Sequence, residues 1–299
     1  MNIRQALIFT VLITFVVSLI CISFFPSIQS FMQYNTMWNG LRHSLNALDA
    51  HTVDTSIGLP QIDSNDTLVC IPYLPYGDLQ LARLKNFVNN GGTLMVMDDF
   101  GFGNDILAYL GIESRFSGAP LLDPLYCYKN QWLPEITDFS PAVSRNVKEI
   151  VLNHATALLN IDNSRVIAWS SSSSYLDRNE NGSYDQGEPK GPLPVAAKIP
   201  LGTGTIILVS DPSILLNSML IKDDNLSFIK SLTGVDTGSS ILIDTSHLTQ
   251  DPMNIVKTKL MDIKEVLAQP YALISILCLL FVIASIYFLK IGGSLGREL

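Results

Sequence analysis

Two long apolar segments, one near each end of the chain, place the strongest constraint on the fold. Residues 6–25 form a run of twenty residues without a charge, and residues 271–289 form a second run of nineteen. As a helix, either run is long enough to cross the hydrocarbon core of a bilayer, which is about 30 Å thick. The sequence therefore predicts two transmembrane helices, 6–25 and 271–289, that flank a central domain.

The first segment also allows a second interpretation, a secretory signal peptide. It follows one basic residue, Arg4, and ends at residues 26–30, Pro-Ser-Ile-Gln-Ser, where the chain could be cut. The apolar core of a signal peptide usually has about seven to fifteen residues, so the longer run favours a retained anchor. Under both interpretations the chain that follows is exported.

Charged residues at the two ends predict the orientation. Arg4 precedes the first segment, whereas Lys290 and Arg297 follow the second, and basic residues favour the cytoplasmic side of a span. We therefore expect residues 1–5 and 290–299 to be cytoplasmic and the central domain to be extracytoplasmic. The chain carries a net charge of −8, which argues against nucleic acid or an anionic membrane surface as its partner.

The central part of the chain alternates strand-like and helix-like patterns. Residues 66–72 and 93–97 are nearly all apolar, as expected for strands that are buried on both faces. Residues 77–90 and 104–110 have apolar residues at helical spacing, and glycine follows each run. Strands that alternate with helices in this way predict a parallel sheet in an α/β domain.

Further elements extend this domain to about residue 245. Residues 112–170 are less regular and predict short strands with excursions. Residues 193–199 and 205–209 predict a hairpin. Other expected elements are a strand at 240–243 and helices at 37–48 (with Trp38, Leu41, Leu45 and Leu48 on one face), 212–220 and 225–232. The predicted organisation is one exported α/β domain over 34–245 and a helical stem over 252–268.

A twelve-residue stretch from Asp177 to Glu188 matches the pattern of an EF-hand calcium loop. It reads Asp-Arg-Asn-Glu-Asn-Gly-Ser-Tyr-Asp-Gln-Gly-Glu, with glycine at the position where such a loop turns sharply. Ca²⁺ binds about six to eight oxygen atoms, and this spacing supplies them from one short segment. The predicted ligands are the side chains of Asp177, Asn179, Asn181, Asp185 and Glu188 and the backbone carbonyl of Ser183.

The composition and flanks of this loop predict a weak, structural calcium site. Three of its ligands are carboxylates, and Arg178 and Lys190 lie beside them, so we expect a dissociation constant on the order of 10⁻⁴ to 10⁻³ M. A strand-like run and five serines precede the loop and prolines follow it, so it lacks the flanking helix pair of a calcium sensor. The alternative is a polar surface loop with accidental spacing.

Three stretches resemble a known family. They are 81–99 (LARLKNFVNNGGTLMVMDD), 103–111 (GNDILAYLG) and 202–213 (GTGTIILVSDPS), with Asn217 and then Asp224-Asn225 following the third. Together they are similar to prokaryotic membrane-anchored proteins that carry a class I glutamine-amidotransferase-like domain, which also occurs in auxiliary subunits of gliding-motility-type ABC exporters. The resemblance implies a flavodoxin-like three-layer fold, no established activity, and envelope or ABC-transporter subunits as partners.

The cysteines do not match the chemistry of a true amidotransferase. Such enzymes place a cysteine nucleophile on a strand-to-helix turn. Here the turn after residues 93–97 carries Asp98 and Asp99, Cys70 lies inside a predicted strand, and no such turn surrounds Cys127. We therefore expect no amidotransferase chemistry. Cys70 and Cys127 remain either a disulfide or two free thiols.

An acidic crevice is predicted at the carboxyl edge of the sheet, which is where ligands bind in parallel sheets. Asp98, Asp99 and Asn104 follow the strand at 93–97, and Asp211 follows the strand at 205–209. The alternative is that each residue only caps a helix or a turn. As neighbours on an extended segment, Asp98 and Asp99 should point to opposite faces of the sheet, which disfavours them as a catalytic pair.

No pattern in the sequence names a reaction. The four histidines are scattered, no G-x-S-x-G or P-loop pattern occurs, and Gly101-x-Gly103 lacks the third glycine of a dinucleotide fingerprint. We expect a non-enzymatic, membrane-tethered domain that binds a ligand or partner in an envelope complex. The alternatives are an enzyme whose acidic crevice binds a metal or sugar-like substrate, and a purely structural surface protein.

Overall fold

The computed structural model describes residues 3–24, 27–59, 66–235, 238–249 and 252–269, together with 271, 274, 275, 278 and 282. The chain divides into two compact units. The central unit is Ser27–Thr249, and the flanking unit comprises Met1–Pro26 and Gln250–Leu299.

Seven α-helices and fourteen strands are defined among the described residues. The helices are α1 Ile3–Phe24, α2 Arg42–Ala47, α3 Asp78–Asn89, α4 Gly103–Leu110, α5 Asn217–Leu220, α6 Asn225–Thr233 and α7 Pro252–Leu267, with 3₁₀ turns at Asn163–Arg165 and Pro212–Leu215. The strands are β1 His51–Val53, β2 Thr67–Cys70, β3 Thr93–Met97, β4 Arg115–Phe116, β5 Leu121–Leu122, β6 Glu135–Ile136, β7 Asp138–Phe139, β8 Ile150–Val151, β9 Leu158–Leu159, β10 Val166–Trp169, β11 Tyr175–Leu176, β12 Pro194–Leu201, β13 Gly204–Val209 and β14 Ile241–Asp244.

The central unit is built around an eight-stranded sheet in the order β1-β14-β2-β3-β13-β12-β10-β7. The first five strands run parallel to their neighbours. The pairings from β13 to β12, β10 and β7 are antiparallel. The predicted α/β architecture with a mostly parallel sheet is thus confirmed. The irregular region contributes three small two-stranded sheets, β11-β5, β4-β9 and β6-β8.

The strands at the centre of the sheet are buried on both faces because they are apolar at nearly every position. All four residues of β2 and four of the five residues of β3 are buried. Met95 and Met97 join one hydrophobic core, whereas Leu94 and Val96 join the other. The first core includes residues of α2, α5 and α6, and the second includes residues of α3 and α4. Helices therefore cover both faces of the sheet.

Several elements that the sequence predicts are present in the structure. The runs at 66–72 and 93–97 correspond to β2 and β3, and the predicted hairpin corresponds to β12 paired with β13. The helices expected at 77–90 and 104–110 correspond to α3 and α4. α4 ends because Gly111 adopts a left-handed conformation, φ 76°, which glycine reaches without strain.

The helix predicted at 37–48 is shorter than its apolar spacing suggested. α2 begins only at Arg42, so Trp38 precedes the helix and does not share a helical face with Leu45, and its side chain is 65% exposed. The side chain of Asn35 accepts a hydrogen bond from the Met37 N–H and donates one to Asn39. These local side-chain hydrogen bonds hold the segment in turns and compete with helix formation.

Cys70 and Cys127 are free thiols, so the disulfide alternative does not occur. Cys70 is the last residue of β2 and is completely buried. Burial raises the pKa of its thiol, which disfavours the reactive thiolate. Cys127 lies in a different part of the unit, where it pairs in a β-bridge with Pro134.

The flanking unit contains α1 and α7. α1 includes an eighteen-residue stretch with a mean hydropathy of 2.8, and none of its residues is buried. By length and composition it can span a membrane or act as a signal sequence, and it alone qualifies among the described residues. The second predicted span, 271–289, lies largely outside the described residues. α7 covers the predicted stem.

Candidate functional site

The predicted calcium loop leaves the fold after β11 and returns at Pro189. The Leu176 N–H donates to the Pro189 carbonyl at 2.9 Å and closes the neck of the loop. The Asp177 N–H donates to the Pro120 carbonyl at 2.9 Å, and Asp177 is fully buried. The loop therefore stands on a fixed base, while residues 178–181 and 183–187 are exposed.

Side chains from the predicted ligand positions converge around Asp185. The amides of Asn179 and Asn181 both donate to Oδ2 of Asp185, at 2.7 and 2.6 Å. The Glu188 carboxylate accepts the Asp185 N–H at 2.9 Å and the Arg178 N–H at 2.7 Å. The structure thus brings together residues that stand up to nine positions apart in the loop.

Asp177 shapes the first half of the loop. Its carboxylate accepts the N–H groups of Asn181 at 3.1 Å and of Gly182 at 2.7 Å. Gly182 has a φ of 76°, so the sharp turn needs a residue that tolerates the left-handed region. The side-chain oxygens of Asn179 and Asn181 each accept the N–H two residues later. These Asx turns wrap the backbone around the point where the side chains meet.

The donor set of the loop suits a hard cation. Carboxylate, amide and carbonyl oxygens are the ligands that Ca²⁺ prefers, and no nitrogen or sulfur ligand is needed. Among the residues that the structure describes, no group of three or more His, Cys, Asp and Glu side chains could hold a metal ion. The carboxylates of Asp177, Asp185 and Glu188 do not make such a group by themselves. A cation here therefore also needs the two Asn side chains and the Ser183 carbonyl.

A neighbouring excursion, residues 123–131, is tied to the loop. Gln131 Nε2 donates to the Gly182 carbonyl at 3.0 Å, and the Asp123 N–H donates to the Gln131 carbonyl at 3.0 Å. The buried Asp123 carboxylate accepts the Ser173 hydroxyl at 2.7 Å. The serine run, the excursion and the loop thus form one hydrogen-bonded network.

The predicted acidic residues lie at the carboxyl edge of the parallel strands. Asp98 and Asp99 follow β3, Asp211 follows β13, and these two strands are paired neighbours. All three aspartates are buried. Burial, and then the charges of Asp99, Asp211 and Asp98, raise the pKa of Tyr73, which places the three carboxylates around this one ring.

Asp98 and Asn104 take part in local structure. The two carboxylate oxygens of Asp98 accept the N–H groups of Gly101 and Gly103, both at 2.8 Å, and so fix the turn into α4. The Asn104 side chain exchanges two hydrogen bonds with the backbone of Phe116, each at 2.9 Å. These are the turn and capping contacts of the alternative interpretation.

Asp99 and Asp211, the acidic pair, each stand two residues beyond the paired residues Met97 and Val209 of β3 and β13. The Asp211 carboxylate is fully buried and accepts the N–H groups of Asn153 at 2.6 Å and Ser213 at 2.7 Å. Burial, together with the charge of Asp99, raises the pKa of Asp211 to about 7. Burial also raises the pKa of Asp99 and raises that of Asp98 to about 6. Among the described residues, no Lys or Arg contributes to these shifts.

A cavity of about 480 Å³ opens beside this pair. Asn153 and Ser213, whose N–H groups bind Asp211, lie in its wall. The other residues that line it are Ser30, Phe31, Trp38, Tyr73, His154, Leu216, Leu248 and Thr249. None of the four residues of the predicted crevice, Asp98, Asp99, Asn104 and Asp211, is among these lining residues.

A second buried network was not found from the sequence. Asp244, at the end of β14, accepts the hydroxyls of Tyr76 and Ser246, each at 2.6 Å, and contacts Nδ1 of His247 at 2.7 Å. The rings of Tyr76 and His247 stack with their centroids 3.4 Å apart. Burial alone raises the pKa of Asp244, but the hydrogen bonds from His247, Ser246 and Tyr76 outweigh it and lower this pKa to about 2.

The fold and these sites define an α/β domain that is preceded by a long apolar helix. A family model described as a domain of unknown function (DUF4350) matches residues 33–233, which is more than half of the chain. The chain therefore belongs to this family. No match was found among curated proteins.

Several solved structures are similar to part of the chain. The "mmIFT52 N-terminal domain" has 15% sequence identity and a TM-score of 0.43, over 57% of this chain and 77% of that one. A β-galactosidase from Bacillus circulans sp. alkalophilus has 13% identity and a TM-score of 0.33, over 56% and 23% of the two chains. The exo-β-1,4-mannosidase Op5Man5 from Opitutaceae bacterium strain TAV5 has 12% identity and a TM-score of 0.29, over 64% and 27%. The chain thus spans about a quarter of either enzyme, and these likenesses carry no argument about function.

Proposed function

We propose that this protein is a membrane-tethered, non-enzymatic binding or scaffold domain of an extracytoplasmic envelope complex, with one structural Ca²⁺ in the loop from Asp177 to Glu188. The observation that carries the calcium proposal is the convergence of Asn179, Asn181 and Glu188 on Asp185.

Calcium would act here by neutralising the carboxylates that the loop holds close together. Asp177, Asp185 and Glu188 would supply the charge, and Asn179, Asn181 and the Ser183 carbonyl would complete the oxygen shell. Because Gln131 bonds to Gly182, the ordered loop would also hold the excursion at 123–131. The role assigned to the ion is therefore structural and does not involve a reaction.

The meeting of the two ends of the central unit supports the proposed tethering. The Gln29 side chain donates to the backbone carbonyl of Thr249 and, at 3.2 Å, to its hydroxyl. A domain that is anchored to one membrane through both ends needs those ends to lie side by side. The apolar helix α1 precedes one end, and the stem α7 follows the other.

The finer fold assignment, a flavodoxin-like or class I glutamine-amidotransferase-like sheet, is also part of this proposal. The parallel strands, numbered in chain order, lie in the spatial order 1-5-2-3-4. If β14, the last of these strands in the chain, is numbered 1 and the other four are numbered 2 to 5, the spatial order becomes 2-1-3-4-5. This is the flavodoxin-like order. The sheet thus supports a permuted version of that fold. An ABC-transporter subunit remains the partner that the sequence resemblance suggests, and cross-linking in native membranes tests it.

Calorimetric titration of the full chain with Ca²⁺ tests the calcium proposal. The wild-type chain should bind one Ca²⁺ with a dissociation constant on the order of 10⁻⁴ to 10⁻³ M. Glu188→Gln should abolish binding in this range, because it removes the carboxylate that closes the site. Glu180→Gln is the matched control, since Glu180 is an exposed carboxylate of the same loop at a position that supplies no ligand. Equal calcium binding by the two variants would contradict the proposal.

A further inference from the structure

The cavity beside Asp99 and Asp211 has features of a binding site that the calcium loop does not share. It lies at the carboxyl edge of the sheet, and its volume of about 480 Å³ is that of a small-molecule pocket. Its wall combines the N-terminal part of the central unit with segments that follow β2, β13 and β14. These segments contribute Phe31, Trp38, Tyr73, Ser213 and Leu248.

Rings from separate segments line the cavity. Phe31 and Tyr73 contact one another with their centroids 5.5 Å apart, and His154 stacks on Trp132 with a separation of 4.8 Å. The indole of Trp38 is 65% exposed and is therefore open to a ligand. The faces of such aromatic rings attract a cation without the need for a hydrogen bond.

Two carboxylates lie behind the wall of the cavity. Asp211 is fully buried and is bound by the N–H groups of the wall residues Asn153 and Ser213, and Asp99 is 7% exposed. The lining residues themselves include no Lys, Arg, Asp or Glu. When ionised, these carboxylates give the cavity a negative potential that no basic residue of the lining offsets. Burial raises the pKa of Asp211 to about 7, so only about half of the Asp211 side chains carry this charge at neutral pH.

We propose that this cavity binds a quaternary ammonium group, of the kind that choline and its derivatives carry. Such a group has no N–H to donate, so it is stabilised by the faces of Trp38 and Tyr73 and by the field of the two carboxylates behind the wall. A hard metal ion would instead favour carboxylate ligands in direct contact, and no carboxylate lines the cavity. The inference rests on the proposed role as a binding domain but does not depend on calcium.

A pair of probes that differ only in charge tests the inference. The full chain, purified in an alkyl maltoside that carries no ammonium group, is titrated with choline chloride and with 3,3-dimethyl-1-butanol, its neutral isostere. Choline should bind at least about tenfold more tightly, which corresponds to about 1.4 kcal/mol. Equal affinities, or no choline binding, would overturn the proposal.

Substitutions near the cavity test whether choline binds there. Trp38→Ala should weaken choline binding about tenfold, as expected for the loss of one cation–π contact. Asp99→Asn should also weaken it, because it removes a charge but can keep the acceptor for the Phe100 N–H. The matched controls are Tyr126→Ala and Asp105→Asn, which change an exposed ring and an exposed carboxylate outside the cavity lining. Wild-type affinity in both test variants would contradict the assignment.

A further comparison distinguishes a lipid headgroup from a free solute as the source of the ammonium group. Ser30 and Thr249, next to the residues at which the central unit begins and ends, line the cavity, so a lipid headgroup and a free solute both have to be considered. Tighter binding of glycerophosphocholine than of choline indicates a headgroup, and the reverse order indicates a free solute. Calcium calorimetry on the same preparation separates failure of this inference from failure of the calcium proposal.

Discussion

Removal of the Glu188 carboxylate should abolish a calcium-dependent gain in thermal stability. Binding to the native state alone stabilises a protein by RT ln(1 + [Ca²⁺]/Kd). For a dissociation constant on the order of 10⁻⁴ to 10⁻³ M and about 10 mM Ca²⁺, the gain is about 1.4–2.7 kcal/mol. At about 2–4 °C per kcal/mol for a domain of this size, the melting temperature should rise by about 3–11 °C.

Glu188→Gln should reduce this gain to under about 2 °C, because a loss of about 100-fold in affinity leaves the site at most about half occupied at that calcium concentration. Glu188 also accepts the N–H groups of Arg178 and Asp185, so we expect the variant to start from a lower melting temperature. The quantity to compare is therefore the difference between melts in calcium and in chelator. Differential scanning calorimetry of the full chain measures it.

Glu180→Gln controls for the charge of the loop and should keep the full calcium-dependent gain. Mg²⁺ at the same concentration should have a smaller effect, since it demands a near-ideal octahedral shell that this loop does not supply. Identical gains for wild type and Glu188→Gln would refute the reasoning, because general salt effects would then explain the stabilisation.

Three further predictions concern the central unit. The folded pKa of Asp211, about 7, lies above the ordinary 3.8, so stability should fall as the pH rises from about 4 to about 7. Asp211→Asn should flatten this dependence in thermal melts across that range. The pKa of Asp244, about 2, lies below 3.8, so its stabilisation is present above 3.8 and is lost as the pH falls through 2. Asp244→Asn should destabilise the fold by about 2–4 kcal/mol in urea melts at neutral pH. Gly204→Ala should cost about 1–3 kcal/mol in the same assay, because its Cβ would meet the carbonyl oxygens of Val88 and Gly92.

The elements that could be predicted from the sequence are those whose pattern repeats over a whole segment. β2 and β3 are apolar at nearly every position, and this pattern is typical of strands that are buried on both faces. The short strands β4 to β9 have two residues each, which is too few for a periodic pattern. Their pairing depends on tertiary contacts that no local pattern encodes.

The candidate sites likewise divide into those that a local sequence pattern indicates and those that depend on tertiary contacts. The proposed calcium loop is contiguous, so spacing alone suggests its candidate ligands, which remain a prediction. The positions of Asp98, Asp99 and Asp211 at the carboxyl edge follow from the strand ends, but the sequence could not show that the oxygens of Asp98 are taken by the turn into α4. The network around Asp244 escaped prediction because Tyr76 comes from a segment that is far away in sequence.

The most direct test of the central claim is a crystal structure of the protein grown in Ca²⁺. We predict one ion in the loop, bound by about six or seven oxygens at about 2.3–2.6 Å. These should come from Asp177, Asn179, Asn181, the Ser183 carbonyl, Asp185 and Glu188. A well-ordered loop without an ion in crystals grown in Ca²⁺ would contradict the claim.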